Sequence, residues 1–293
     1  MKKYIILLFI FLSVPFLAIA QEDDSKKEED TTEVKEKPER PAFESSFIID
    51  NPTDVVFGKN ALEAQMEHRF GLIDFDKPGD LAGIYGPGAN IRLGITYSIL
   101  DRLTLGYGYT KNQRLQDFNL KYAILSQTRS NKIPVNVTYY GNFAYNSSDQ
   151  KTTQPLINYN QDRFSYFNQI IVSRRFSPNF SMQIAPSVSH YNLVEEGMNN
   201  DLFAIAIGGR YKVTPNTALL FDYSQPLSSF DKPYNPEPGI SLGVEFATSA
   251  HAFQLFISNY SGIVPQQNYM WNQNDFFGGD ILLGFNITRV YNF

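Results

Sequence analysis

The feature that most constrains this chain is an alternation of apolar and polar residues with period two, repeated from Leu62 to the C-terminus. Leu62, Ala64, Met66, His68 and Phe70 alternate with Glu63, Gln65, Glu67 and Arg69. Ile91, Leu93, Ile95, Tyr97 and Ile99 alternate with Arg92, Gly94, Thr96 and Ser98. Val135, Val137, Tyr139, Gly141, Phe143 and Tyr145 alternate with Asn136, Thr138, Tyr140, Asn142 and Ala144. Successive strand residues point to opposite faces, so each run is a strand with one apolar and one polar face. A tilted strand needs about 9–11 residues to cross a bilayer, and these runs have that length.

The same reading predicts twelve strands, near 62–70, 90–98, 103–110, 117–125, 135–145, 164–176, 180–191, 202–211, 216–224, 240–247, 251–258 and 280–292. Strand 164–176 has apolar residues on both faces. Strand 180–191 holds Pro186, which removes a ladder donor, so a bulge or local weakness is expected there. The connections form a second pattern. Leu100-Asp101-Arg102, Ser177-Pro178-Asn179, Thr214-Pro215-Asn216 and Thr248-Ser249-Ala250 are short, with good turn residues. Those near 71–89, 146–163, 192–201, 225–239 and 259–279 are long. Short periplasmic turns alternating with long external loops describe an all-β, antiparallel transmembrane β-barrel. Connections 126–134 and 111–116 fit that alternation less well, the first too long and the second too short.

Charge placement agrees. The mid-strand charges Glu63, Glu67, Arg92, Lys121, Asp222 and Glu245 lie by parity on the polar face. A Lys or Arg facing lipid at mid-membrane would cost roughly 2–4 kcal/mol. With Arg69 these residues form a mixed-sign inward set. Twelve strands give a backbone radius of roughly 12 Å, between barrels filled by side chains and barrels that hold a channel. Two readings stand: the charges pair and fill the lumen, or they line a narrow polar conduit.

The ends of the chain are read separately. Lys2 and Lys3, an apolar core at Ile5–Leu12 and Ala18-Ile19-Ala20 make residues 1–20 a secretory signal peptide. Its removal takes two positive charges and moves the net charge from −5 to −7. Residues 21–42 carry nine acids and five bases and no aromatic, so they are expected to be a disordered periplasmic arm. Segment 43–60 is apolar in patches and broken by Asn51-Pro52. It is expected to be a lead-in under the barrel or a partial plug, and residues 61–293 the barrel itself. At the far end Ile281, Leu283, Phe285, Ile287, Tyr291 and Phe293 share one face. Tyr291 and the terminal Phe293 resemble an assembly signal for outer-membrane barrels. The expected surroundings are therefore outer-membrane lipids and the barrel-assembly machinery of a Gram-negative bacterium.

Several stretches look familiar. Phe43–Thr53 leads into Leu62–Gly71, with His68-Arg69-Phe70-Gly71; then come Ala89–Tyr97, Asp101–Gly108 with Asp101-Arg102-Leu103, and Leu120-Lys121-Tyr122. These resemble the domain-of-unknown-function 5777 family of bacterial β-barrel proteins, most strongly over residues 43–125. The resemblance implies an outer-membrane barrel and no functional residue.

Chemistry is sparse. The chain has no cysteine, which excludes disulfide scaffolds and thiolate chemistry. Its acidic balance argues against a nucleic-acid partner. No metal-ligand spacing, phosphate loop or cofactor motif stands out. Asp74, Asp76 and Asp80 offer a weak divalent-cation cluster. Ser189, His190 and Asn192 could furnish a hydrolase, but adjacent strand residues point to opposite faces. Gly106 and Gly108 are expected to relieve crowding beside aromatic neighbours. The leading expectation is a narrow pore or small-solute transporter, not an enzyme. The alternative is a non-conducting scaffold that recruits a periplasmic partner through residues 21–60, and a lipid-modifying enzyme ranks last.

Overall fold

The computed structural model describes residues 36–77, 88–149 and 155–293. Residues 1–35, with the expected signal peptide and most of the expected arm, and Asp80 lie outside the described residues. A two-stranded hairpin comes first, β1 (Phe47–Ile48) and β2 (Asn51–Pro52). Twelve long strands follow: β3 (Ala61–Leu72), β4 (Asn90–Leu100), β5 (Leu103–Thr110), β6 (Leu115–Leu125), β7 (Asn136–Asn146), β8 (Phe164–Arg175), β9 (Phe180–Tyr191), β10 (Asp201–Thr214), β11 (Thr217–Pro226), β12 (Gly239–Ala247), β13 (His251–Ser258) and β14 (Leu282–Asn292). Among the described residues a single short α-helix, α1 (Pro265–Trp271), lies between β13 and β14. Each long strand pairs antiparallel with its chain neighbours, and β14 pairs with β3 to close a barrel without an edge.

The alternation predicted from the sequence sets the two faces. In β3, Ala61, Glu63, Gln65, Glu67 and Arg69 are buried in the interior. Across the wall Leu93, Ile95, Leu105, Phe118, Leu219, Leu242 and Leu255 face outward and are exposed. Those outward side chains form an apolar belt that requires lipid. His68 belongs to this belt, its ring stacked on Phe285 at 5.1 Å. Tyr291 and Phe293 also face outward.

Pro186 has a milder effect than expected. The β9–β10 ladder passes through it in register as Ile205↔Pro186. On the β8 side the pairing lapses between Gln169↔Ser187 and Val172↔Ile184, with no register shift. The missing N–H weakens one ladder without adding a residue, so no bulge forms there.

Two segments that are not wall strands fill the interior. From the periplasmic side, Ala42, Phe43, Ile48, Ile49 and Val55 pack on the inward residues Leu220 and Phe256. From the external side, Tyr269 and Met270 of α1 pack on Tyr140, Phe167, Ile171, Ala185, Leu202, Ala204 and Ala206. This explains why β8 is apolar on both faces. Phe167 and Ile171 point inward to meet the helix, with Phe167 stacked on Tyr269 at 5.6 Å. The alanines of β9 and β10 leave the helix its room.

The over-long connection 126–134 also has a use. Glu39 N–H donates to Gln127 O at 2.7 Å and Arg129 N–H to Lys37 O at 3.0 Å, with Pro38 bridged to Thr128. Arg175 pairs with Glu39 at 2.9 Å. The Arg40 N–H and the Arg175 guanidinium hold the Glu39 carboxyl below the usual carboxylate range. Composition put residues 36–42 in a disordered arm, and this needs correction. Their order comes from a backbone ladder that composition cannot register.

Placing a charge in the apolar belt tests the orientation of the wall. Ile95→Lys is expected to lose about 2–4 kcal/mol of folding free energy, measured by urea titration in detergent micelles.

Candidate functional site: the lumen and its internal hairpin

Every candidate lumen residue points inward and is buried: Glu63, Glu67, Arg69, Arg92, Lys121, Asp222 and Glu245. A buried charge is costly unless it is paired and hydrogen-bonded. How each is satisfied divides them into two groups.

The first group is satisfied within the wall. Arg92 grips Asp117 in a two-point fork, Nε to Oδ1 at 2.8 Å and Nη2 to Oδ2 at 2.7 Å. Its Nη1 donates to Glu67 Oε1 at 2.6 Å and to Gln65 Oε1 at 3.2 Å. Asn142 adds a bond to Asp117 at 3.2 Å. The guanidinium lies across Gly94 and Gly108, and a Cβ at Gly108 would overlap it. Gly106 likewise makes room for Asn119. The glycines do relieve crowding, but beside a guanidinium and an amide rather than aromatic rings. On the opposite wall Arg210 Nε donates to Glu245 Oε1 at 2.7 Å, and Gln254 to Glu245 Oε2 at 3.1 Å.

The second group is satisfied by the hairpin. Asp222 accepts the backbone N–H groups of Asp50 and Asn51, each at 3.0 Å, and the Asn51 side chain at 2.9 Å. Arg69 Nη2 donates to Asp50 Oδ1 at 2.9 Å, and Arg69 lies over the Phe256 ring at 4.5 Å. Asp50 Oδ2 accepts Ser241 Oγ at 2.5 Å and Ser258 Oγ at 3.1 Å. Lys121 Nζ donates to Ser46 O at 2.7 Å and lies 5.7 Å from the Phe47 ring centre. Glu63 belongs instead with the first group: its Oε2 is bound within the wall by Gln65 at 2.7 Å and Thr96 at 3.3 Å, while its Oε1 has no partner.

Neutral wall residues also reach the hairpin backbone. Gln183 donates to Pro52 O at 2.9 Å, Gln254 to Phe47 O at 2.9 Å and Asn286 to Ile49 O at 2.7 Å. At the hairpin tip Ile49 adopts φ 54°, the left-handed region that a β-branched residue avoids. Such a conformation costs on the order of 1–3 kcal/mol and persists only where surroundings over-determine it. Here Ile49 N–H donates to Gln254, while Ile49 O accepts from Asn286 and Arg69.

The hairpin and the helix meet inside the barrel. Tyr269 OH donates to Asn51 Oδ1 at 2.7 Å, and Ser224 Oγ donates to Tyr269 OH at 3.2 Å. Gln266 donates to Asn142 Oδ1 at 2.9 Å.

Sequence reasoning missed Asp50, Asn51, Asp117, Arg210, Gln266 and Tyr269. Asp117 shares parity with Asn119 and Lys121, so the alternation carried its position. Asp50 and Tyr269 lie outside any strand pattern and left no such signal.

The other sequence candidates separate. Ser189 is buried on the inward face, whereas His190 lies outward against Tyr166. Both His190 ring nitrogens have partners, Asp201 at 2.7 Å and Asn192 at 3.0 Å, so these residues do not form a triad. Asp74 pairs with Lys77 at 2.8 Å. Among the described residues no group of three or more His, Asp or Glu is placed to hold a metal ion.

Removing one member of a buried charge cluster strands the rest. Arg92→Ala is expected to cost about 3–5 kcal/mol in the same urea titration, and Arg92→Lys to recover only part of it, because Lys cannot form the fork to Asp117.

No curated protein matches the chain in sequence. Among solved structures it is similar to the KdgM porin, with a TM-score of 0.46 and 8% identity over 80% of this chain and 99% of that one. An outer membrane channel from Pseudomonas putida F1 gives a TM-score of 0.48 and 13% identity over 81% of this chain and 97% of that one. The CymD monoaromatic hydrocarbon channel gives 0.42 and 10% over 81% and 90%. Residues 43–291 match the membrane-bound β-barrel domain DUF5777, and the chain belongs to that family.

Proposed function

We propose that this barrel is a narrow channel for small polar solutes, held shut from within by its own N-terminal segment, residues 43–57. The observation that carries this reading is the division of the buried charges. Arg92 pairs with Glu67 and Asp117, and Arg210 with Glu245, within the wall; Arg210 also lies 3.7 Å from Glu44 of the N-terminal segment. Arg69, Lys121 and Asp222 are instead bound to the hairpin. A lumen filled only for stability would be expected to pair all its charges within the wall. Withdrawing the hairpin toward the periplasm would leave those three side chains facing the space it vacates, where water and ions can hydrate them. The wall pairs would stay intact and keep the barrel rigid. The Asn51–Tyr269 contact would then link the hairpin's position to that of the external helix.

The scaffold reading is the weaker one. Segment 43–57 cannot recruit a periplasmic partner while its backbone is held inside the barrel.

Conductance in a planar bilayer tests the proposal. The full mature chain is expected to be silent or to open rarely. Deletion of residues 43–57 is expected to give sustained current. A deletion variant that folds yet stays silent would overturn the channel. Because the deletion removes core packing, a second test keeps the chain whole. The native chain has no cysteine. Asn51→Cys with Ser224→Cys replaces a contact of 2.9 Å by a tether. Openings should vanish when the disulfide forms and return on reduction.

Ion selectivity gives a further check. In the hairpin-deleted barrel Lys121→Glu is expected to shift the reversal potential toward cation preference. An unchanged reversal potential would remove Lys121 from the conduit.

A further inference from the structure

The external mouth holds a cavity that the closed lumen does not explain. It has a volume of about 230 Å³ and is lined by Asn112, Gln113, Gln267, Asn268, Asn272 and Trp271, with Ser261 and Gly262 completing its wall. Five of these side chains are carboxamides, and none of the lining residues is charged.

The walls are fixed. Asn90 is the hinge, donating through its side chain to Ser261 O at 3.3 Å and accepting the Asn112 N–H at 3.1 Å. Asn272 donates to Glu237 O at 3.1 Å. Two amides of α1 that line the cavity are nevertheless left over. Asn268 is 3% exposed, and neither its Oδ1 nor its Nδ2 has a partner. Gln267 is 7% exposed, and its Oε1 has no partner. A buried polar group without a partner costs about 1–3 kcal/mol, so such groups call for an occupant. A single bridging water takes about 30 Å³, far less than this space.

We infer that the cavity binds a neutral, hydroxyl-rich solute, one sugar unit of an oligosaccharide whose remaining units lie outside it. A carboxamide both donates and accepts, as a sugar hydroxyl does. A charged ligand would find no countercharge on the lining. A fully apolar one would leave the amides unsatisfied. Trp271 supplies an apolar ring with one polar edge, suited to the apolar face of a sugar ring. Binding here does not depend on conduction, because the cavity is formed by external loops and by α1 rather than by the hairpin.

The chain carries its own probe, since Trp271 is its only tryptophan. The purified full-length barrel in detergent would be titrated with cellopentaose, maltopentaose and mannopentaose while Trp271 emission is followed. At least one is expected to give a saturable change in intensity or wavelength. Pentagalacturonate, the charged counterpart, should give none. Asn268→Leu is expected to weaken binding by about tenfold or more, as loss of a buried hydrogen bond implies. Heat-modifiable gel mobility would report whether that variant folds, and Gln267→Ala carries the same comparison if it does not. No saturable change with any neutral sugar would overturn the inference. So would equal binding of pentagalacturonate, or undiminished binding by a folded variant.

Discussion

A charge inside a membrane barrel has no bulk water to fall back on, and the organisation of this molecule follows from that. Arg69 and Asp222 have no opposite charge in the wall within salt-bridge distance, and Asp50 reaches both of their neighbourhoods. Its carboxylate takes the guanidinium and two serine hydroxyls, and its backbone N–H donates to Asp222. One residue of a non-wall segment thus completes interactions on β3, β11, β12 and β13. The hairpin that presents it must turn at Ile49, in a conformation that residue disfavours. The surrounding amides hold that turn, and the turn in turn satisfies them. Wall and hairpin therefore stabilise one another.

The interior is built from two different surfaces. On β3 to β6 the inward residues are mostly polar or small, and the Arg92 cluster organises them around Gly94 and Gly108. On β8 to β10 the inward residues Phe167, Ile171, Ala185, Leu202, Ala204 and Ala206 form an apolar patch, and α1 packs there. The hairpin's backbone groups find partners on the polar side chains of Lys121, Gln183, Asp222, Gln254 and Asn286. The apolar patch suits a helix whose backbone groups already have them. Each insert lies where its own chemistry is matched, and the two touch through Asn51 and Tyr269.

Much of this was legible beforehand, and the parts that were not share a cause. The twelve strands, their faces and the inward position of Glu67, Arg92 and Lys121 follow from period two, a property of adjacent residues. The apolar inward residues Phe167 and Ile171 were visible as an anomaly, a strand apolar on both faces. That anomaly is the mark of an internal occupant, because an inward apolar side chain in a polar lumen needs something to cover it. The over-long connection 126–134 was a second anomaly, and the incoming residues 36–40 account for it.

What the sequence alone determined is the wall: strand number, faces, the rhythm of short and long connections, and membrane residence. Those depend on local periodicity and on the cost of polar groups in lipid, which act over neighbouring residues. Tertiary structure decided what occupies the interior. Whether Asp50 meets Arg69, or Tyr269 meets Asn51, depends on contacts between residues 19 and 218 positions apart. No periodicity spans such separations. Only closure of the barrel brings the two inserts and the unmatched charges into one small space, where each satisfies the others.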